Sequence, residues 1–449
     1  MEELVTYSGI FLLIVGIVYS AKNRLAINRP SAMALIVLGL STSLHYTAGF
    51  HYRDEIDPST WMLLFSLNIL MVFFAFLGET LGIHRKAHSS SGRAEGMSAK
   101  GNLIPPKAAL TRICTYAFFL VGSFCVLALI FNNGPVLLRS GIDGLRISVY
   151  NGDLGENLLG RISRFAGFLF FSLGLIILSP ETFSRRENRL LPILIGIQCL
   201  VMSILTAGRW PLMTFCITMF MTIRIDHAFL ALHYKRIAGA MLIVILFLAL
   251  MPLLRFAKDD PILSNKIAFD LEYSLRAEEA LYAVPSVLSS TYLSIATYLT
   301  QGPAYLQNYL SSRDSPSGGI LHFPWIYRLL NLRQWSAYEE AQDNLRAELI
   351  GEARFTEIWA TGLRELIFDF GFFGAGLVCA IWGFIVGYIY GRPRTNADIA
   401  LTMLYVSMVP MILFFPIASP YANTFMMYMI NNGLLLSFPF LVLKLFRTT

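Results

Sequence analysis

Apolar residues run in long blocks along this chain, separated by short polar stretches, and the blocks set the first expectation. Eleven of them read as membrane-spanning helices, at about residues 4–20, 31–48, 60–82, 111–131, 163–179, 190–207, 210–224, 237–255, 362–389, 399–416 and 425–444. Residues 60–82 (TWMLLFSLNILMVFFAFLGETLG) and 237–254 (IAGAMLIVILFLALMPLL) are the plainest, since ~18 or more apolar residues in a row match the length a helix needs to cross a hydrocarbon core. A soluble fold would need buried helices of that length to recur throughout. The expected fold class is therefore an all-α polytopic membrane protein with about 11 transmembrane helices, in which residues 1–449 form a single membrane-embedded domain.

The polar stretches alternate in charge. One set is short and basic: Lys22, Arg24 and Arg29; Arg85, Lys86, Arg93, Lys100 and Lys107; Arg185, Arg186 and Arg189; Arg224, Lys235 and Arg236; Arg392 and Arg394; Lys444 and Arg447. Excess Lys and Arg in short loops marks the cytoplasmic side. That places the N-terminus outside and the C-terminus inside. The first block begins MEELVTYSG, lacks the positive n-region of a cleaved signal, and reads as a retained helix. Loop 83–110 opens with the Ser-, Gly- and Lys-rich IHRKAHSSSGRAEGMSAKGNLIPPK and reads as a flexible cytoplasmic linker. Two outer stretches are large, 132–162 and 256–361. Within the second, 281–300 (LYAVPSVLSSTYLSIATYLT) is moderately apolar. A crossing there would turn the basic tail KLFRTT outward, so the segment reads as interfacial or re-entrant.

Composition agrees: 55% of the 449 residues are hydrophobic and 14% charged, where a soluble domain carries about a quarter charged. The net charge of +6 belongs to the cytoplasmic loops and is not a nucleic-acid signal. Cys114, Cys125, Cys199, Cys216 and Cys379 all lie in apolar segments without CxxC spacing, which points to helix packing and not to disulfides or zinc.

Candidate chemistry concentrates on the outer face. Helix interiors hold few ionisable groups beyond Glu79, Glu365 and Asp369, which disfavours a proton-driven carrier. Arg209, in the turn LTAGRWPL, and Arg255, in MPLLRFAKDD, are expected at one depth at the outer surface. There, guanidinium forks grip phosphate oxygens. Gly208 is expected to permit the turn and Trp210 to sit at the interface. The bland alternative is that both arginines only anchor helix ends. The large loop mixes arginines (Arg276, Arg354), acids (Glu278, Glu357) and aromatics (Tyr298, Tyr305, Trp325, Tyr327, Trp335), a blend that suits a saccharide and equally a solvated interfacial loop. His322 is a candidate general base. Asp369-Phe370-Gly371 spells a kinase triplet, but no Gly-rich loop, VAIK-like lysine or HRD motif accompanies it, so it marks no nucleotide site.

The stretch ARFTEIWATGLRELIFDFGFFGAGLVCAIWGFIVGYIYGR (353–392) resembles the late signature of Wzy-type polymerases, the O-antigen or oligosaccharide repeat-unit polymerases. The matching positions are Thr356, Asp369-Phe370-Gly371, Gly374, Gly376, Gly383, Gly387 and Arg392. TAGRWPL (206–212), with Arg209, resembles the family's small-residue-plus-arginine turn. YLTQGPAYLQNYL (298–310) resembles a Tyr-rich stretch of its large loop. Two features depart from the pattern: eleven helices where about a dozen are usual, and Arg354-Phe355 where an asparagine usually precedes the threonine.

The resemblance implies a GT-C-like glycosyltransferase of the bacterial inner membrane with no cofactor and no metal. It would join repeat units carried on undecaprenyl pyrophosphate on the periplasmic side, amid membrane lipids and beside a chain-length-regulating co-polymerase. In that picture Arg209 and Arg255 hold the donor pyrophosphate, Arg276 or Arg354 assists, and His322, Glu357 or Glu278 takes the acceptor proton. Thr356, Asp369 and the loop aromatics bind substrate. The rival readings are an O-antigen ligase, a lipid-linked oligosaccharide flippase and a non-catalytic membrane scaffold.

Overall fold

The structure, a computed structural model, describes residues 2–22, 28–47, 50–52, 56–90, 106–150, 154, 157–206, 208, 210–223, 225, 273–275, 284–311, 362–392, 398–417 and 424–446. Apart from one pair of three-residue strands, the ordered elements among these are helical: α1 (Glu2–Lys22), α2 (Pro30–Thr47), α3 (Pro58–Ser90), α4 (Pro106–Tyr150), α5 (Leu158–Ser163), a 3-10 turn (Arg164–Gly167), α6 (Phe168–Leu178), a second 3-10 turn (Pro180–Thr182), α7 (Glu187–Leu205), α8 (Trp210–Thr222), α9 (Ser286–Thr300), α10 (Gly302–Ser311), α11 (Gly362–Gly391), α12 (Ile399–Phe414) and α13 (Thr424–Phe446). Among the described residues six segments are long and apolar enough to cross a membrane: Glu2–Lys22, Pro58–Ile83, Ala108–Ile142, Leu158–Leu178, Glu187–Leu205 and Leu363–Gly391. The expected span at 237–255 lies outside the described residues.

These helices carry apolar side chains outward at helical spacing. Leu4, Tyr7, Phe11, Ile14 and Val18 line one stripe of α1, and Ile113, Leu120, Phe124, Leu127 and Phe131 one stripe of α4. On α11, Phe373 is 91% exposed, with Leu377 and Ile381 also exposed one and two turns on. In water such stripes would be a standing aggregation surface; in hydrocarbon they are the natural exterior. Polar side chains inside the helices turn back on their own backbone. Thr42, Asn68, Thr115, Thr297 and Ser407 each donate to the carbonyl four residues earlier, which satisfies a donor without water.

The chain divides into two compact units. The first comprises 1–74, 225–383 and 411–423. In it α1 and α2 pack antiparallel through glycines: a Cβ at Gly39 would overlap the α1 backbone at Leu13, and one at Gly9 would press on Ser43. Small residues let helix backbones approach where lipid supplies no hydrophobic drive. Beyond α2, strand β1 (Phe50–Tyr52) pairs antiparallel with β2 (Tyr273–Leu275). This ribbon lies just past the end of α2 and before the start of α3, and that end of the unit is called the ribbon end here. At the opposite end of α2, the Ile225 N–H donates to Asn28.

The second unit comprises 75–224, 384–410 and 424–449. Here α4 and α7 run parallel and touch at three levels: the Arg112–Glu187 ion pair at 2.5 Å, a Ser123–Gln198 hydrogen bond at 3.0 Å, and Asn133 donating to the Leu205 carbonyl at 2.8 Å. The later turns of α3 and α11 also run parallel in this unit. Gly78 meets Phe384, Gly387 meets Ala75, Gly391 meets Glu79, and Gly82 meets Tyr388 and Gly391. A side chain at any of these glycines would collide with the opposing backbone.

Two helices differ from their expected outlines. The sequence NNGP (132–135) reads as a stop, yet α4 continues through it to Tyr150. Asn132 and Asn133 place their amides on Leu154 and Leu205 carbonyls instead of capping the helix. The break comes later, at Gly141 (φ 69°, ψ −170°). In α11 a second break falls at Gly371 (φ 65°, ψ −178°), the glycine of the Asp-Phe-Gly triplet. Both sit in a backbone region essentially restricted to glycine. Gly371→Ala should therefore cost about 1–3 kcal/mol. A lowered midpoint of thermal unfolding in detergent is the readout, and an unchanged midpoint would mean that α11 straightens without penalty.

Candidate functional site

The ribbon end of the first unit gathers polar residues from four helices, α2, α3, α9 and α10. Helix α9 meets the last turns of α2 there: Ser41 Oγ donates to the Leu299 carbonyl at 2.6 Å, and His45 Nδ1 lies 2.6 Å from the Thr300 carbonyl. Helix α10 meets the first turn of α3 through one side chain. The Gln307 amide oxygen accepts from the Asp57 N–H (3.2 Å) and from the Thr60 hydroxyl, and its NH2 donates to the Asp57 carboxylate (3.0 Å). One amide is thus used on both faces, which fixes α10 over the α3 N-terminus.

Beneath these contacts lies a buried aromatic group. The His45 ring packs edge-on to Tyr46 (4.8 Å) and to Trp61 (5.1 Å), and Trp61 stacks on Phe65. Gln301, the residue between α9 and α10, is wholly buried. Neither its amide nitrogen nor its amide oxygen has a hydrogen-bond partner, and the Trp61 indole N–H has none. Unmatched polar atoms at such burial are rare and costly.

The head of α11, ahead of the Gly371 break, lies in the same unit. It is buried on all sides despite its charges: Arg364 and Glu365 are 3% exposed and Asp369 is fully buried. Arg364 Nη2 lies 2.5 Å from Glu365 Oε1, while Glu365 Oε2 is buried without a partner. The glycine break follows directly after Asp369-Phe370, so the charged head of the helix is set apart from its apolar remainder.

Of the residues expected to carry chemistry, Tyr298 lies on α9, Tyr305 on α10 and Asp369 on α11, all in the first unit. Arg209, Arg255, His322, Glu357, Arg276, Arg354, Trp325, Tyr327, Trp335 and Thr356 lie outside the described residues. The residues flanking Arg209 form a tight connection in the second unit: the Gly208 N–H donates to the Ser203 carbonyl at 3.0 Å, and the Leu212 N–H to the Ser203 hydroxyl at 3.1 Å. Trp210, the first residue of α8, is 6% exposed and packs inside the unit.

The sequence reading missed Ser41, His45, Asp57, Trp61, Gln301, Gln307 and Arg364. Only a cluster of polar and aromatic residues at the facing ends of two apolar blocks (HYTAGFHYRDEIDPSTW, 45–61) hinted at His45, Asp57 and Trp61.

The fold and site define a class: an all-α chain with several helices able to cross a membrane and a polar, partly closed cluster at one end of its first unit. Comparison of the chain with protein-family models, with curated proteins and with solved structures finds no match in any of the three.

Proposed function

We propose that this chain is a membrane glycosyltransferase that polymerises undecaprenyl-pyrophosphate-linked oligosaccharide repeat units, moving the growing glycan onto an incoming lipid-linked unit to make O-antigen, capsule or exopolysaccharide. The observation that carries the reading is the Asp369-Phe370-Gly371 triplet. It sits in the stretch that resembles the Wzy-type signature, and its glycine breaks α11 between a buried charged head and an apolar span. The large loop's helices dock on α2 and α3 in the same unit, which suits a loop that orders substrate over a membrane-embedded site.

Helix directions support the accompanying topology. Ile225 is tied to one end of α2 and β2 to the strand beyond the other. Ile225 and β2 thus lie at opposite ends of α2, and 237–255 is the apolar run between them in the sequence. Helix α9 then ends at the end where β2 already lies, in keeping with a non-spanning 281–300. In this reading the ribbon end is periplasmic, the N-terminus is periplasmic and the C-terminus cytoplasmic, in a bacterial inner membrane.

The reaction is a displacement at the anomeric carbon of the donor glycan. The acceptor hydroxyl oxygen forms the new bond, the bond to the pyrophosphate oxygen breaks with its electron pair, and undecaprenyl pyrophosphate departs. Arg209 and Arg255 would bind that pyrophosphate and stabilise its developing charge, with Arg276 or Arg354 assisting. Preorganised positive charge in a poorly hydrated site is the largest available lever. A base among His322, Glu357 and Glu278 would accept the hydroxyl proton. The test is polymerisation by purified protein in detergent with its lipid-linked repeat unit. A glycan ladder is expected from the wild type, with rates lower by about 100-fold or more in Arg209→Ala and Arg255→Ala. No ladder from folded wild type would turn the reading toward a ligase or a flippase, and a ladder undiminished in both variants would remove the arginines from the mechanism.

A further inference from the structure

We propose that Gln301, Trp61 and His45 form a subsite for a neutral, hydroxyl-bearing ligand, a sugar ring of the glycan, which enters when α9–α10 lifts from the ribbon end. The inference rests on the glycosyltransferase reading for the identity of the glycan but not for the existence of the subsite.

The argument begins with the amide. Gln301 is 0% exposed, and its donor and its acceptor are both without partners. The Trp61 indole N–H, at 2% exposure, is a further idle donor. Trp61 and Gln301 are joined through His45, whose ring packs against Trp61 and whose Nδ1 meets the carbonyl of Thr300, the residue before Gln301. Helix α3 and the α9–α10 junction thus each bring unmet hydrogen-bonding groups to either side of His45 on α2, and Trp61 brings an aromatic face. A structural core would fill these positions with apolar side chains, since an unmet buried amide destabilises a fold.

The set of groups indicates what would satisfy them. A hydroxyl donates and accepts at once, as the two ends of an amide require. An indole offers a flat apolar face and one donor, the complement of a sugar ring with its C–H face and rim of hydroxyls. Asp57, held by Gln307 beside this place, would repel phosphate. The groups therefore suit the sugar and not the pyrophosphate of a lipid-linked donor.

Entry requires α9–α10 to move. Among its attachments to α2 and α3 are the Ser41, His45 and Gln307 hydrogen bonds, each replaceable by water at little net cost. Gln307→Ala removes the α10 hydrogen bonds to Asp57 and Thr60 and should make ligand association faster without touching the subsite.

The test uses the full chain in detergent or lipid nanodiscs. Its probes are free hexoses, N-acetylhexosamines, 6-deoxyhexoses and uronic acids, each at up to about 100 mM, with inorganic pyrophosphate as a separate arm. Binding is read by tryptophan fluorescence and by isothermal titration. At least one sugar is expected to bind, at least tenfold more weakly in Gln301→Leu, with its fluorescence change lost in Trp61→Phe and no competition from pyrophosphate. Gln301→Leu is also expected to raise the thermal midpoint of the ligand-free protein, because an idle amide is replaced by a side chain of similar shape. The proposal is overturned if no sugar binds the folded wild type, if sugar affinity is unchanged in Gln301→Leu, or if that variant is less stable than wild type, the mark of an amide satisfied by buried water. Polymer formation separates the two readings. Sugar binding that depends on Gln301 in a protein that makes no polymer keeps the subsite and removes the polymerase. A polymerase whose sugar affinity ignores Gln301 does the reverse.

Discussion

Gly387→Val should prevent the protein from folding. At Gly387 the α11 backbone lies directly on α3, and a Cβ there would overlap the Ala75 carbonyl oxygen and crowd its carbon and Cα. The obstacle is backbone, so no rotamer change relieves it. The helices must separate along a seam that also includes Gly78, Gly82 and Gly391. Parting a close-packed membrane seam forfeits its dispersion contacts, which are most of what holds such helices together. An expected loss of more than ~3 kcal/mol exceeds the usual penalty of overpacking and is a large share of a protein's stability. The comparison is Gly376→Ala. There the nearest atoms are Leu67 and Leu70 side-chain ends, the nearer at 3.5 Å, and the gain in helix propensity of about 1 kcal/mol leaves the variant as stable as wild type or more so. Yield of monodisperse protein and the thermal midpoint in detergent measure both. Equal behaviour of the two variants would mean that the seam is not as tight as described.

Arg364→Leu should be nearly as damaging, for an electrostatic reason. Arg364 and Glu365 are buried together at the head of α11, and the guanidinium contacts Glu365 through both Nε (3.1 Å) and Nη2 (2.5 Å). Removing the arginine strands a buried carboxylate, a change that costs about 3–5 kcal/mol where such pairs have been broken. Replacing both charges is different. The Arg364→Leu/Glu365→Leu protein loses a charge pair whose desolvation offset much of its attraction, and it should recover most of the stability. The two single variants and the double variant form a cycle whose coupling reads the pair directly. Additive effects would show that the pair does not act as a unit. A double variant that is stable yet makes no polymer would place these charges in the site as well as in the architecture.

The helices were legible because their signal is length and apolarity. Ten of the eleven expected segments coincide with described helices within a few residues at most ends, and six described segments are long and apolar enough to cross a membrane. The main overrun is α4, where NNGP looks like a terminator but its asparagines find carbonyls on other segments. Partners far away in sequence decided that outcome. The site was less legible for the same reason. Gln301 reads as an ordinary polar residue between two weakly apolar helices, and only packing against α2 and α3 makes its amide costly. Arg364 and Glu365 read as a polar helix entrance, and burial turned them into an ion pair. The triplet at 369–371 was visible as letters, yet its physical content lies in the last one, a backbone angle that only glycine takes readily. The arginines and loop aromatics named from charge and composition lie outside the described residues and remain proposals tied to the polymerisation assay.

The seam between α3 and α11 bears on how the protein is made. Its two faces are separated by most of the chain, so α3 leaves the ribosome long before α11 exists. At 5–20 residues per second the interval is on the order of half a minute. During that time α3 holds Gly78 and Gly82 without the backbone they later meet, and beside them Glu79, which is fully buried in the finished protein. A carboxylate exposed to lipid is expensive. Arrival of α11 is therefore the event that completes this part of the fold.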